Sequence, residues 1–131
     1  MPVDREAAII RKFIEFYKLA NTYLKHFPKD EKYALCTRVR NYAGEVYGYI
    51  IEGQKRYHKK TTLTSLDIAH EKLRMELFLA YETGYFRFTD GKTGDTPEQA
   101  EARRWMAISK LVDELGRMIG GWRSEEHTSE L

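Results

Sequence analysis

LCTRVRNYAGEVYGYIIEG, residues 35–53, decides the fold. Its apolar positions Leu35, Val39, Tyr42, Ala43, Val46, Ile50 and Gly53 follow one another at helical steps, close to a heptad rhythm, so a single face of a helix is apolar from end to end. Such a face is stable only when other elements cover it. The flanking sequence offers three more helices. Upstream, after Asp4 as an N-cap, Ile10, Phe13, Ile14, Tyr17, Leu24 and Phe27 make a second stripe, which Phe27-Pro28 interrupts. Asp30 and Glu31 then suit the positive end of a new helix.

Downstream, the stripe fades in the basic run KRYHKK, residues 55–60, and Thr61 to Thr64 offer hydroxyl caps for a third helix. That helix carries Leu66, Ala69, Leu73, Leu77, Ala80 and Gly84; Tyr85 to Phe88 reads as its frayed end or a short extended piece. DGKTGDTPEQ, residues 90–99, is a loop that closes on Thr96 as a cap and Pro97 in a first turn. A fourth stripe follows with Trp105, Ile108, Leu111, Val112, Leu115, Met118 and Ile119. Gly120-Gly121 is expected to end that helix and let Trp122 fold back over the bundle. Without alternating strand patterns or internal repeats, the sequence predicts an all-α protein, an antiparallel up-and-down four-helix bundle.

A chain of 131 residues, 42% hydrophobic and 32% charged, has the size of one domain. It contains nothing near the roughly 20 apolar residues that span a bilayer, and MPVDREAAII is acidic where a signal peptide is basic, so a cytoplasmic protein without a membrane partner is expected. Cys36 is the lone cysteine and reads as a small buried hydrophobe. Nine tyrosines are more than one core accommodates: Tyr42, Tyr47, Tyr49, Tyr81 and Tyr85 fit either a subunit contact or the core edge.

Catalysis is not expected, and neither is a cofactor or a metal. Di-metal bundles need two Glu-x-x-His pairs, whereas here Asp67-x-x-His70 occurs once, and His70 reads as a helix-flank histidine bonded to a neighbour. His26, beside a helix end, is expected to meet the last carbonyls. No phosphate loop or nucleophile elbow is present. Binding remains. Lys55, Arg56, Lys59 and Lys60 form a basic cluster, with Arg38 and Arg40 on earlier turns, that attracts phosphate by charge and counterion release, and Tyr57 and His58 are placed to stack on a base.

The segment DELGRMIGGWR, Asp113 to Arg123, resembles the C-terminal signature of the accessory proteins of diversity-generating retroelements, the Avd family of four-helix bundles. FPKDEKYALCTRVR, Phe27 to Arg40, is similar to the approach to that family's second helix, and LDIAHEKLRMELFLA, Leu66 to Ala80, to its third. The resemblance implies a ring-like homopentamer with a basic surface that associates with reverse transcriptase and with RNA or DNA during error-prone cDNA synthesis, without catalytic residues of its own. By position it singles out Arg38, Arg74 and Arg117, although Glu114 lies where it could pair with Arg117 on one helix face. Two departures are visible: near Phe78 and Glu82 the family carries further cations, and its turn corresponding to residues 90–99 is shorter. A related bundle family, encoded within intervening sequences of ribosomal RNA genes, is the alternative and implies a protein-interaction scaffold.

RSEEHTSEL, Arg123 to Leu131, resembles a translated sequencing adapter, so the expected division is a bundle over residues 1–123 and a non-native, disordered or frayed tail over 124–131. Omitting the tail removes Glu125, Glu126 and Glu130 but no Lys or Arg, which raises the formal net charge from +2 to +5.

Overall fold

The computed structural model describes the backbone of residues 2–130 and the side chains of residues 5–126. It contains α1 (Pro2–Leu24), α2 (Leu35–Lys55), α3 (Lys60–Glu82) and α4 (Pro97–Glu130), with no strand among the described residues. Contacts between neighbours show the alternation of direction. Gln54 reaches the Glu6 carbonyl while Tyr47 stacks on Phe13; Arg38 meets Glu76; His70 meets Val112 while Asp67 meets Arg123; Lys12 meets Glu114. Residue numbers rise along each helix as they fall along the next. The fold is the expected four-helix bundle, closed by α4 against α1, with α2 and α3 packed most closely.

On α2 the stripe holds: Leu35, Val39, Ala43, Val46, Ile50 and Gly53 are buried and Tyr42 is half-buried. Cys36 is also buried, and burial pushes its thiol above the ordinary value. Of the stripe expected for α1, Phe13, Leu24 and Phe27 are buried and Ile10 and Tyr17 are half-buried against the core, but the centre of the observed stripe lies to one side of them. Ile9, Phe13, Phe16, Ala20 and Tyr23 face the core, whereas Ile14 is 42% exposed. Apolar residues cover too wide an arc of α1 for periodicity to choose, and only the packing of α2 and α4 against it selects the inner part.

Helix ends differ from the sequence expectation in an instructive way. The helical backbone of α1 begins at Pro2, so Asp4 lies inside the helix and its side chain is outside the described residues. Lys60 begins α3, and no hydroxyl caps it. Thr62 donates to Glu52 at 2.7 Å, and Thr64 donates to the Lys60 carbonyl at 3.0 Å, so these hydroxyls serve the helix junction and the helix's own backbone instead. At α4 the cap is as expected and more complete. The Gln99 amide N–H donates to Thr96 Oγ1 at 3.2 Å and the Thr96 N–H to Gln99 Oε1 at 2.9 Å, which is a capping box.

Gly84 is not part of the α3 stripe. Its φ of 81° lies in the left-handed region, where glycine has no Cβ to clash, and it turns the chain into a 3-10 turn at Tyr85–Arg87. Phe86 is thereby fully buried, edge-on to Tyr23 and Phe27, and plugs the end of the bundle. His26 does not cap carbonyls. Its ring stacks on Phe88, centroids 4.5 Å apart, because the chain after the plug brings Phe88 over the end of α1.

Gly120-Gly121 does not stop α4, and the helical backbone runs on to Glu130. Each glycine costs about 1 kcal/mol against alanine in a helix, which is a tax and not a terminator. Neither residue has a positive φ, and Ile119 and Trp122, both buried, extend the core stripe across the pair. Trp122 therefore packs from within the helix and does not fold back. Arg123 donates to Asp67 at 2.8 Å, and Arg5 pairs with Glu125, tying the extension to α3 and α1.

Two glycines test the packing from opposite sides. A Cβ at Gly116 would lie 2.6 Å from Cε1 of His70, whereas one at Gly44 would meet nothing within 4 Å. Gly116→Ala is expected to destabilise by about 1–3 kcal/mol through overpacking. Gly44→Ala is expected to stabilise by up to about 1 kcal/mol through helix propensity alone. Thermal denaturation of the two variants checks the opposite signs.

Candidate nucleic-acid interface

Residues 55–60 make a tight junction at one end of the bundle, and the four cations expected to act together divide into two pairs. Arg56 leaves the helix in an extended conformation, φ −82° and ψ 144°. Its guanidinium lies 3.6 Å from Glu52 and 3.4 Å from the Thr62 hydroxyl, which itself binds Glu52. Lys59 donates to the Gly53 carbonyl at 2.5 Å, a cation satisfying the negative end of α2. These two build the junction. Lys55 and Lys60 are exposed, and among the described residues neither side chain makes an ion pair.

Between those lysines stands Tyr57, 89% exposed, with the exposed His58 edge-on to it at 4.8 Å. The junction holds the pair up because Arg56 and Lys59 anchor the chain on either side of them. Chemically this end offers two exposed ammonium groups, an aromatic face and an imidazole. Arg123, which the sequence does not mark as a site residue, lies at the same end. It lines an open furrow of about 470 Å³ with Lys60, Thr64, Asp67 and Gly120, although its charge is engaged by Asp67. Only the helical continuation of α4 brings it there.

The other expected binding residues are elsewhere. Arg38 lies at the start of α2, about 25 Å from Lys55 at 1.5 Å per residue, and donates to Glu76 at 2.9 Å. Arg74 grips Glu71 through two hydrogen bonds of 2.8 Å, which holds that carboxyl below its ordinary value. Arg38 and Arg74 thus each carry a carboxylate partner at the surface. Arg40 is exposed on the flank of α2 that faces α1, without an ion pair among the described residues. Arg117 is exposed on α4, and the pair with Glu114 does not form. Lys12 of α1 takes Glu114 at 2.6 Å, and this bond lowers the carboxyl's pKa.

His70 is a core residue. It is 6% exposed and its Nε2 donates to the Val112 carbonyl at 2.7 Å, with the ring against the bare Cα of Gly116. Asp67, its sequence companion, is bound to Arg123. Among the described residues no group of His, Cys, Asp and Glu is disposed to hold a metal ion, and no helix is long and apolar enough to cross a membrane. Of the five tyrosines expected at an edge or a contact, Tyr42, Tyr49, Tyr81 and Tyr85 rest partly buried on the core, while Tyr47 is 38% exposed.

Comparison with known proteins returns one kind of match. A family model described as bAvd-like covers residues 7–126, most of the chain, whereas no curated protein and no solved structure matches. The matched span takes in α2, α3, most of α1 and α4, and the junction at 55–60. The chain thus belongs to the bAvd-like family, the kind of accessory protein that its Gly-Gly-Trp segment and Phe-Pro approach resemble.

Proposed function

We propose that this protein is a non-catalytic accessory subunit of a diversity-generating retroelement, cytoplasmic and oligomeric, that binds the reverse transcriptase and its template RNA or cDNA. Family membership supports the accessory role. The observation that carries the nucleic-acid part is the exposure of Lys55 and Lys60, which precede and follow an almost fully exposed Tyr57 in the chain. Unpaired lysines at a helix junction release counterions when phosphates approach, and an aromatic face adds about 1–3 kcal/mol per stacked base. A single strand can use both at once, because its bases are free to leave the stack. Its backbone needs no shape-matched groove. Arg40 and Arg117 add unpaired charge on other faces, which favours a second copy or the polymerase over a continuation of the same site.

The test separates the free cations from the structural ones. Lys55→Glu with Lys60→Glu leaves Arg56 and Lys59 to hold the junction. Against single-stranded RNA, the slope of log affinity on log salt is expected to shrink by roughly 1.4, at about 0.7 for each phosphate no longer neutralised. Tyr57→Ala is expected to weaken binding with no change in that slope. An unchanged slope in the double variant would remove the junction from the binding surface, and a monomer in light scattering would remove the oligomer.

A further inference from the structure

The furrow between α1 and α2 lies on a different side of the molecule and has a different chemistry. It is about 410 Å³ in volume and is lined by Phe13, Ile14, Tyr17, Lys18, Gly44 and Tyr47. Ile14 and Tyr47 are 42% and 38% exposed, and Ile51, one turn beyond Tyr47, is 42% exposed. Gly44 and Gly48 share this outer face of α2, and a Cβ at either would meet nothing within 4 Å. The two helices thus leave an apolar trough with a bare floor on one side, the shape into which a third helix lays its ridge.

The rim is cationic. Lys18 lines the trough, Arg11 precedes Ile14 by one turn, and Arg40 precedes Gly44 by one turn. None of the three side chains makes an ion pair among the described residues. Neighbouring carboxylates serve other faces: Glu15 approaches Lys12 on the α4 side, and Glu52 holds Thr62 and Arg56 on the α3 side. An occupant that matches this rim brings carboxylates beside an apolar ridge.

Two alternatives fit less well. Tyr17 and Tyr47 both stack on Phe13, at 5.7 and 5.1 Å, and so form a closed apolar floor, not the splayed platforms on which unpaired bases stack. A second copy could offer the α3 ridge of Ile68, Met75 and Leu79, but there Glu71 is already bound to Arg74, and Lys72 lies over Tyr42 beside it. That ridge has no surplus of negative charge. We propose that the α1–α2 furrow docks an acidic amphipathic helix of a different protein, with the apolar ridge of that helix between Ile14 and Tyr47 and its carboxylates on Arg11, Lys18 and Arg40.

The experiment uses the full chain and a synthetic peptide of about five helical turns, with a leucine stripe flanked by glutamates, followed by fluorescence anisotropy. An otherwise identical peptide flanked by lysines is the control. The glutamate peptide is expected to bind at least roughly tenfold more tightly, and the difference to shrink as salt screens the rim. Gly44→Trp, which fills the trough without touching the core, is expected to abolish binding with the helical circular dichroism intact. Lys18→Glu with Arg40→Glu is expected to reverse the preference between the peptides, and it decides the matter if Gly44→Trp fails to fold. Equal affinity for both peptides overturns the proposal. So does Gly44→Trp lowering RNA affinity, which would make the trough a nucleic-acid site, or reducing the particle mass, which would make it a contact between copies.

Discussion

Trp122→Ala is expected to cost about 3–5 kcal/mol, the range for deleting a large aromatic from a packed core. The indole is 3% exposed and lies against Gly53 so closely that a Cβ there would sit 2.8 Å from Cη2. Leu63 touches the same spot, 3.2 Å from that Cβ position, so three helices converge on one ring. Their small, flat and branched partners leave little freedom to close the hole after truncation. Urea denaturation measures the loss, with Trp105 as the remaining fluorophore. A cost under about 1 kcal/mol, the size of a surface effect, would show that α4 does not pack beyond Ile119. Gly53→Ala provides the reciprocal check: its overpacking penalty should shrink in the Trp122→Ala background, leaving only the contact with Leu63, as coupled neighbours require.

Arg104→Ala is expected to cost about 3 kcal/mol, since stranding a buried acceptor costs about 1–3 kcal/mol for each group left without a partner. Arg104 is 2% exposed. It donates to the Phe86 carbonyl at 2.9 Å and also to the Phe88 carbonyl, reaches Asp90 at 3.4 Å, and lies 3.7 Å over the Phe88 ring. Its guanidinium therefore satisfies the backbone of the plug that closes the bundle end, where no helix or sheet supplies donors. Arg104→Met separates the contributions, because it keeps the volume and removes the donors. It is expected to be nearly as damaging as Arg104→Ala, and proteolysis should open the loop at residues 88–96 in both. Recovery of most of the stability by Arg104→Met would assign the effect to packing.

Both residues bear on how much of the molecule its sequence announces. Helix count, order and direction follow from periodicity, and the α2 stripe from Leu35 to Gly53 is buried as read. The Thr96-Pro97 start of α4 is equally local, because a capping box involves only residues three apart. Arg104, by contrast, sits in the sequence beside Arg103 as one more charged residue of a surface helix. Its burial depends on Phe86 and Phe88 arriving from a different segment. The same holds for His70, whose partner Val112 is on another helix, and for His26, which stacks on Phe88.

The candidate site shows the same division. Clustering of Lys55, Arg56, Lys59 and Lys60 is visible as adjacency, but adjacency does not tell a lysine that closes a helix from one that faces solvent. The Gly53 carbonyl takes Lys59, and Glu52 with Thr62 takes Arg56, leaving Lys55 and Lys60. Resemblance singles out Arg38 and Arg74, and the carboxylates that neutralise them come from Glu76 on the facing helix and Glu71 on the same one.

By itself, then, the sequence determined an all-α bundle and its four rods, since both depend on spacing within one helix, while its Gly-Gly-Trp and Phe-Pro segments carry the resemblance to the family. Tertiary structure alone decided which arc of α1 turns inward, that α4 runs on through its glycine pair, and which cations stay unpaired. Helical periodicity is a short-range property of the chain, whereas burial and ion pairing depend on which residues distant in sequence come within a few ångströms. A glycine or an arginine has no fixed role until that neighbour is in place.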